Sequence, residues 1–516
     1  MFTNYFLKNR NYFFIFLVFY LFFCFLTFRQ YGICGDEQDS YAGGAILLKY
    51  FKGHNLEALK NDFLAHNYPF EALLLKLSMS KGVDFDRLHL LNLLFASGVF
   101  WMMYELLYLS FGDGRWALTG PVALFLTSRF LGDIPANPKD ASFAVFYFFC
   151  LGAMILKEKW FPGRFWRIFG LGILFGFASS HRIVGLTLFP VYGLFRLLEG
   201  GLIEKEWTDV KKIREWFFKE VLEWAAVFVV SQLTLCALWP YIGVDYFHHF
   251  AEVLTSSRRF VWGGTILFAG KIIDPNHHFY WSYLAVWIAI TTPIFLLLSF
   301  IFSLFRWNFL WKKKVYSLMV LAFAVNLVLY FLLKPVIYGA LRHYLFLLPI
   351  LVFLSCSGLI HFFTILKRGP IRWAALAFVS LNVFFVVFHL VRLFPYDYLY
   401  FNEFVGGIRG AYGKYEMDYN GKSLREATLW LKENEIKNPN KDYKIKMDGG
   451  TLLATYYFSG NMHGYANIKD GDADFCYVLN GATGYALPSS GKVIHVVERE
   501  GVPLTAILKI NEQSEK

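Results

Sequence analysis

Three carboxylates fall within four positions of Gly35-Asp36-Glu37-Gln38-Asp39-Ser40-Tyr41, in a chain where only 17% of residues are charged. The segment follows closely on an apolar run at 11–28. A carboxylate at such a boundary is partly desolvated, which raises its basicity and suits it to take a proton from a hydroxyl. The competing reading is a set of solvated acids near a helix end. A second acid stands at the head of another apolar run, in Asn137-Pro138-Lys139-Asp140-Ala141-Ser142. Asp140 reads either as a helix N-cap or as a second wall of the cavity that holds Asp36, with Lys139 facing a phosphate.

The cationic candidates are Arg258, Arg259 and Lys271, in a long polar stretch, and Arg342-His343-Tyr344, ahead of an apolar run. Such groups can meet phosphate oxygens, arginine as a two-pronged fork. They can equally snorkel and anchor helices. His248-His249 and His277-His278 are adjacent pairs whose rings point apart and bring no fixed carboxylate, so no metal centre is assigned to them. Cys24, Cys150, Cys236 and Cys356 lie inside apolar runs and read as small hydrophobes. Cys34 and Cys476 lie outside them and their pairing is left open. No metal-type cysteine spacing occurs.

These side chains must be held by elements whose nature composition already bounds. The 516 residues are 56% hydrophobic and 20% aromatic, with a mean hydropathy of +0.42. Soluble chains carry about a quarter charged residues. Here the apolar residues gather into runs of roughly 14 to 24, mostly long enough for membrane spans. Disorder, collagen, coiled coil and a secreted disulfide scaffold are excluded. The runs at 11–28, 88–110, 117–131, 141–156, 168–181, 183–198, 224–240, 282–305, 315–333, 344–362 and 373–394 make about eleven helices. The expected fold is an α-helical polytopic membrane protein with a small C-terminal α/β domain, divided as 1–394 and 395–516.

The first run lacks a cleavage site and is expected to be retained. The net charge is 50 − 39 = +11. No basic stripe interleaved with aromatics lies outside the spans, so nucleic acid is not an expected partner. Instead Lys157, Lys159, Arg164, Arg167, Lys211, Lys212, Lys312, Lys313 and Lys314 crowd short connecting loops. Cationic loops resist translocation, which puts the N terminus in the cytoplasm and, after an odd number of spans, the tail outside. Long loops at about 30–87 and 241–281 share that outer face. Ser179-Ser180-His181-Arg182 divides 168–198, and a mid-membrane arginine is costly. A helical hairpin with Arg182 at the surface is therefore expected. In the tail, Ser423-Leu424-Arg425-Glu426 reads as a capping box, and Tyr443–Met447, Phe475–Leu479 and Lys492–Glu498 read as strands.

Taken together, several segments resemble the C-superfamily of membrane glycosyltransferases (GT-C), in the branch of protein O-mannosyltransferases, the aminoarabinose lipid A transferase and related bacterial core-sugar transferases. They are Asp36-Glu37, His66-Asn67-Tyr68-Pro69, Asn137–Asp140, Gly172–Gly176 with Arg182-Ile183-Val184-Gly185, Phe268–Gly270 with Tyr280–Pro293, Arg342-His343-Tyr344 with Pro349, and Asp418-Tyr419-Asn420-Gly421. The resemblance covers nearly the whole chain, and its specificity lies in the order of the motifs. It implies an integral enzyme of the bacterial plasma membrane that moves a sugar from a polyprenyl phosphate, with inversion, to an acceptor on the outer face. Asp36 would be the base on the acceptor hydroxyl, and Glu37 and Asp140 would shape the site. Arg342, Lys139, Arg258, Arg259 and Lys271 are the cations available to the donor phosphate. Phosphate leaves readily once its charge is stabilised, so neither a general acid nor a metal is required. The trefoil-repeat domain of eukaryotic protein mannosyltransferases has no counterpart, and the sugar and the acceptor (lipid, polysaccharide or protein) stay open. The alternative is a polytopic transporter or flippase. It is disfavoured because the runs at 11–28, 315–333 and 344–362 hold no acidic residue and no repeated halves are visible.

Overall fold

The computed structural model describes residues 10–53, 66–80, 82–199, 210–258, 260–447, 452–481 and 491–510. Its main helices are α1 (Asn11–Thr27), α2 (Gly35–Phe51), α3 (Pro69–Ser78), α4 (Phe85–Phe111), α5 (Asp140–Trp160), α6 (Arg164–His181), α7 (Leu188–Leu198), α8 (Val210–Leu238), α9 (Tyr246–Arg258), α10 (Ile294–Phe305), α11 (Lys314–Leu333), α12 (Leu347–Ile365), α13 (Pro370–Leu393) and α14 (Leu424–Asn434). Among the described residues six helices are long and apolar enough to cross a bilayer: α4, α5, α8, α11, α12 and α13. The apolar helices α1, Ile183–Leu198 and α10 are shorter. α12 is buried on nearly every side, whereas α13 keeps most of its apolar surface exposed. An apolar helix exposed all round belongs in hydrocarbon rather than water.

The expected count of about eleven spans is not met. The run at 117–131 is cut into Gly114–Ala117, Thr119–Phe125 and Ser128–Asp133, each too short to span. The run at 282–305 breaks at Thr292-Pro293, between Tyr283–Thr291 and Ile294–Phe305. Pro293 has no N–H to offer the carbonyl of Ala289 four residues back. The side-chain amide of Asn402 fills that role, donating to Ala289 O at 2.7 Å and Thr292 O at 2.8 Å, while its own N–H donates to Ile290 O at 2.8 Å. The break at Arg182 occurs as expected: α6 ends at His181 and a 3-10 turn, Ile183–Thr187, leads into α7.

α2 positions the first candidate acids. Its neighbour α3 can lie close because a Cβ on Gly44 would stand 2.8 Å from Ala72 N, and one on Gly43 2.3 Å from the Tyr68 ring. Any larger residue at either position would force the two helices apart. The chain after α13 folds back over the same end of the bundle. Its backbone presses on the end of the first turn region, where a Cβ on Gly32 would meet Lys422 O at 2.1 Å.

The tail carries a five-stranded sheet of β3 (Tyr443–Met447), β4 (Met462–Tyr465), β5 (Phe475–Leu479), β6 (Lys492–Arg499) and β7 (Val502–Lys509), after a small hairpin of β1 (Ile266–Phe268) and β2 (Lys271–Ile273) in the earlier loop. The order is β4-β3-β5-β7-β6. β3 runs parallel to β4 and β5, and β7 antiparallel to β5 and β6. Alternation sorts the two faces. Phe475, Tyr477 and Ile507 join the core that continues into the helices, while Cys476, Val478, Ala506 and Leu508 form a second cluster behind. The expected strands are present. The capping box at Ser423 is not: Ser423 Oγ donates to Asp418 Oδ2 at 2.5 Å, and Glu426 is drawn away to Arg499 at 2.6 Å.

Asn402→Ala removes the side-chain donors to two carbonyls at the Pro293 break, Ala289 O and Thr292 O. The expected cost is about 2–4 kcal/mol, from two buried acceptors left unpaired. A lower chemical-denaturation midpoint in detergent checks this; an unchanged midpoint refutes the role given to Asn402.

Candidate active site

The first turn of α2 offers its free amides and positive dipole end to the two acids placed there. Glu37 spends itself locally. It is fully buried, accepts the Cys34 N–H at 3.2 Å, and meets His89 Nε2 at 3.0 Å. It therefore braces the helix start and does not line the cavity described below. Asp36, one residue earlier, turns outward. Its side chain is 49% exposed, and its Oδ2 lies 2.8 Å from Arg342 Nη2.

Arg342 arrives on a tight loop ahead of α12. Gly339 and Ala340 both have positive φ, 65° and 57°, a conformation that costs a residue with a Cβ about 1 kcal/mol or more. The loop is held there by Glu416 from the tail, which accepts the N–H groups of Gly339 at 3.2 Å and Ala340 at 3.1 Å and the Tyr283 hydroxyl at 2.9 Å. The Arg342 guanidinium lies over the Tyr338 ring, 4.7 Å from its centroid. Burial is the largest single influence on Arg342 and opposes its charge, but Asp36, with smaller pushes from Tyr338, Cys34 and Tyr419, more than offsets it. In return Arg342, with a smaller push from Lys139, holds the Asp36 carboxyl below the usual carboxylate range, against the partial desolvation of its site.

Beside this pair lies a cavity of about 150 Å³, lined by His66, Lys139, His181, Arg182, Tyr338 and His343 among others. Its charged wall comes from the joined ends of α5 and α6. Lys139 precedes α5, and Arg182 follows α6 and forms a direct ion pair with Asp140. Asn137 steadies that carboxylate, accepting the Asp140 N–H at 3.0 Å and donating to its Oδ2 at 3.3 Å. Asp140 is thus the first residue of α5 and an ion-pair partner; the N-cap expected of it is Lys139. The Lys139 ammonium sits 5.7 Å from the Tyr68 ring centroid. Burial, and then the charge of Arg182, bring its pKa down to about 7. Burial and Arg342 bring Arg182 down to about 10. His66 is pushed well below its ordinary range by Lys139 and by burial, and His343 by burial and by Arg342. Arg182 is paired with Asp140, as Arg342 is with Asp36, and Glu71 stands near Lys139 and Arg182 as a third carboxyl. An anion entering the cavity would meet Lys139 and compete with the two aspartates for the guanidinium groups.

The structure brings Asp36, Arg342, Lys139 and Asp140 to one end of the bundle, but of the four only Lys139 lines the cavity; Asp140, expected to share a cavity wall with Asp36, is turned to Arg182 instead. Arg258 is exposed in the last turn of α9 and Lys271 is exposed on β2; neither lines the cavity. Arg259 lies outside the described residues. Sequence reasoning missed Glu71, buried on α3 with its Oε2 3.7 Å from His181 Nδ1 and with its pKa raised by burial to about 8. Its signal was an acid inside an apolar stretch. Sequence reasoning also missed Arg129, fully buried, whose guanidinium stands 5.1 Å from the Trp287 ring centroid and donates to Tyr419 OH at 3.4 Å. No protein-family model and no curated protein matches the chain.

The cavity's anion affinity should depend on pH in a definite direction. A bound anion favours charged Lys139, so binding takes up a proton wherever the free lysine is neutral. Sulfate, whose charge is fixed, should bind with level affinity below pH 7 and progressively more weakly as pH rises through the Lys139 value of about 7. Ionisation of Glu71 near 8 acts in the same direction. In Lys139→Arg the decline should begin only near the Glu71 step. Isothermal titration across that range decides it, and wild-type affinity that rises with pH excludes the assignment.

Proposed function

We propose that this chain is an integral membrane enzyme that transfers a sugar, with inversion, from a polyprenyl-phosphate donor to an acceptor hydroxyl, at the membrane face carrying the tail. The observation that carries the reading is the Asp36–Arg342 pair, a carboxylate and a phosphate-binding fork holding each other at 2.8 Å beside a cation-lined cavity. The donor's phosphodiester competes with Asp36 for the guanidinium, aided by Lys139 and Arg182. Asp36, freed of its partner, becomes a stronger base. It takes the proton of the acceptor hydroxyl as that oxygen attacks the anomeric carbon. The bond from that carbon to the phosphate oxygen breaks on the opposite side, and the polyprenyl phosphate departs with a charge the same cations stabilise. The proton ends on Asp36, and no other group need supply or accept one.

The membrane orientation rests on charge. Lys157, Lys159, Arg164 and Arg167 sit at the ends of α5 and α6 opposite Lys139 and Arg182, which favours a cytoplasmic location for the former. The active face would then be extracytoplasmic, in a bacterial plasma membrane, with the apolar helix surfaces receiving the polyprenyl chain. The tail, folded over that face, would help choose among lipid, polysaccharide and protein acceptors. Mass spectrometry of envelope lipids, polysaccharides and proteins with and without the gene would reveal the glycosylated product. Redistribution of a lipid between leaflets with no covalent product would instead support a flippase.

Asp36→Asn keeps the size but not the basicity, and transfer per folded molecule should fall about 10²–10⁴-fold. Near wild-type turnover by that variant would sink the mechanism. For Arg342 the expected order of activity is wild type, Arg342→Lys, Arg342→Ala, because lysine keeps the charge and loses the fork. A merely anchoring arginine would alter expression alone. A phosphate-binding partner of Asp36 should also move the acid limb of the pH–rate profile. In Arg342→Ala the Asp36 carboxyl loses its main depressing charge, so activity should fail at a higher pH on acidification.

A further inference from the structure

The helix α9 carries a constellation that the transfer chemistry does not use. His248, His249 and Glu252 occupy one turn, and each can present a ligand atom within 4.8 Å of the other two. His248 Nε2 and Glu252 Oε1 are already 3.4 Å apart. Tetrahedral zinc, with bonds of about 2.0–2.1 Å, needs ligand atoms about 3.3–3.4 Å apart.

What sets this cluster apart from incidental surface histidines is a single supporting residue. The His249 ring stacks on Tyr241 at a centroid distance of 4.0 Å, and its Nδ1 lies 2.6 Å from the Tyr241 carbonyl oxygen. That contact requires the proton on Nδ1 and leaves the Nε2 lone pair free. The Tyr241 hydroxyl donates to Glu252 Oε2, leaving Oε1 to face His248. Ligating histidines characteristically donate their second ring N–H to a carbonyl or carboxylate, which fixes the tautomer and ring orientation. Tyr241 thus orients one imidazole through its backbone and the carboxylate through its hydroxyl.

The geometry points to a divalent metal site on α9, with His248 Nε2, His249 Nε2 and Glu252 Oε1 as ligands and a fourth position open to solvent. Two imidazoles and one carboxylate oxygen select zinc over magnesium or calcium, which prefer more oxygen ligands. The ion would fix His249 and Glu252 in the orientations in which they hydrogen-bond Tyr241, and so would reinforce the contact of α9 with the corner at Trp239–Tyr241. Trp239 and, beyond the ligands, Ser257 and Phe260 all line the cation-rich cavity, so the ion would stiffen one wall of that cavity without entering it. The inference stands on α9 and Tyr241 alone and does not depend on the proposed transfer reaction.

The test is zinc titration of the full chain in detergent, free of any polyhistidine tag, against a competing chromophoric chelator. One equivalent should bind. His249→Ala and Glu252→Gln should each weaken it at least 10-fold, and Tyr241→Phe, which loses only the hydroxyl, about 10-fold. His277→Ala/His278→Ala should leave affinity unchanged. The ligands lie on a solvent-facing helix, so unchanged gel-filtration and circular-dichroism profiles without zinc keep the variants comparable. Cobalt(II) should give the intense visible absorption of a four-coordinate site. The inference is overturned if no saturable binding occurs at micromolar zinc, if the triple variant of His248, His249 and Glu252 retains the equivalent, or if replacing His277 and His278 abolishes it.

Discussion

A guanidinium stays protonated even when taken from water, so at the end of an apolar helical bundle a counter-ion offsets its desolvation, and the structure around Arg342 is organised by that requirement. The cost of taking either ion from water is several kcal/mol, recovered only when the pair is close and its remaining hydrogen-bonding groups are engaged. Asp36 meets the first condition at 2.8 Å. It does so because Cys34 and Glu37 cap the start of α2 and fix the direction in which residue 36 leaves the helix. The second pair, Arg182 with Asp140, obeys the same rule from the ends of α5 and α6, with Asn137 engaging the spare carboxylate oxygen.

Arg342 also needs a backbone that will not relax, and that comes from the tail. The loop at Gly339-Ala340 is strained, and Glu416 holds it by accepting both of its amides. Glu416 is in turn placed by its neighbours. Asp418 accepts the backbone N–H groups of Lys422 and Ser423 at 3.1 and 2.8 Å, and Lys422 Nζ donates to Gly132 O at 2.8 Å, deep against the helices. Asn402 performs the equivalent service at the Pro293 break. The segment between α13 and α14 is therefore part of the site's frame, and the buried core runs through it from helices to sheet without interruption.

This dependence explains which features were legible in the chain. Strands such as Tyr443–Met447 and Phe475–Leu479 were readable because alternation and β-branched or aromatic content act locally. The long apolar helices were readable for a similar reason. The run at 117–131 misled because apolarity measures burial as well as membrane exposure; it forms short helices wedged among others, with Gly120 and Pro121 in their midst. Asp36, Lys139, Asp140 and Arg342 stood out as charges next to apolar runs, but nothing local distinguished their partners. Glu37 lies beside Asp36 in the chain and points to His89, 52 residues away. Ser423 and Glu426 have capping-box spacing, yet Asp418 and Arg499 claim them first. The carboxylate for His248 and His249 lay four and three residues downstream, but Tyr241, which orients it, is visible only in the folded chain.

The pairing of Asp36 with Arg342 carries one more consequence for the proposed chemistry. A carboxylate cannot at once neutralise a guanidinium and serve as a strong base, because the contact that stabilises its charge lowers its proton affinity. Paired with Arg342, Asp36 is held below its usual range and is a poor acceptor of a hydroxyl proton. In the proposed reaction an arriving phosphodiester would pair with Lys139 and compete with Asp36 for Arg342, and so would release Asp36 only when the donor is in place. The same substitution of one anion for another protects the donor, since a base that strengthens on donor binding has no reason to be active before it. On this reading the order of events, donor before deprotonation, follows from the electrostatics of a single ion pair and needs no moving lid.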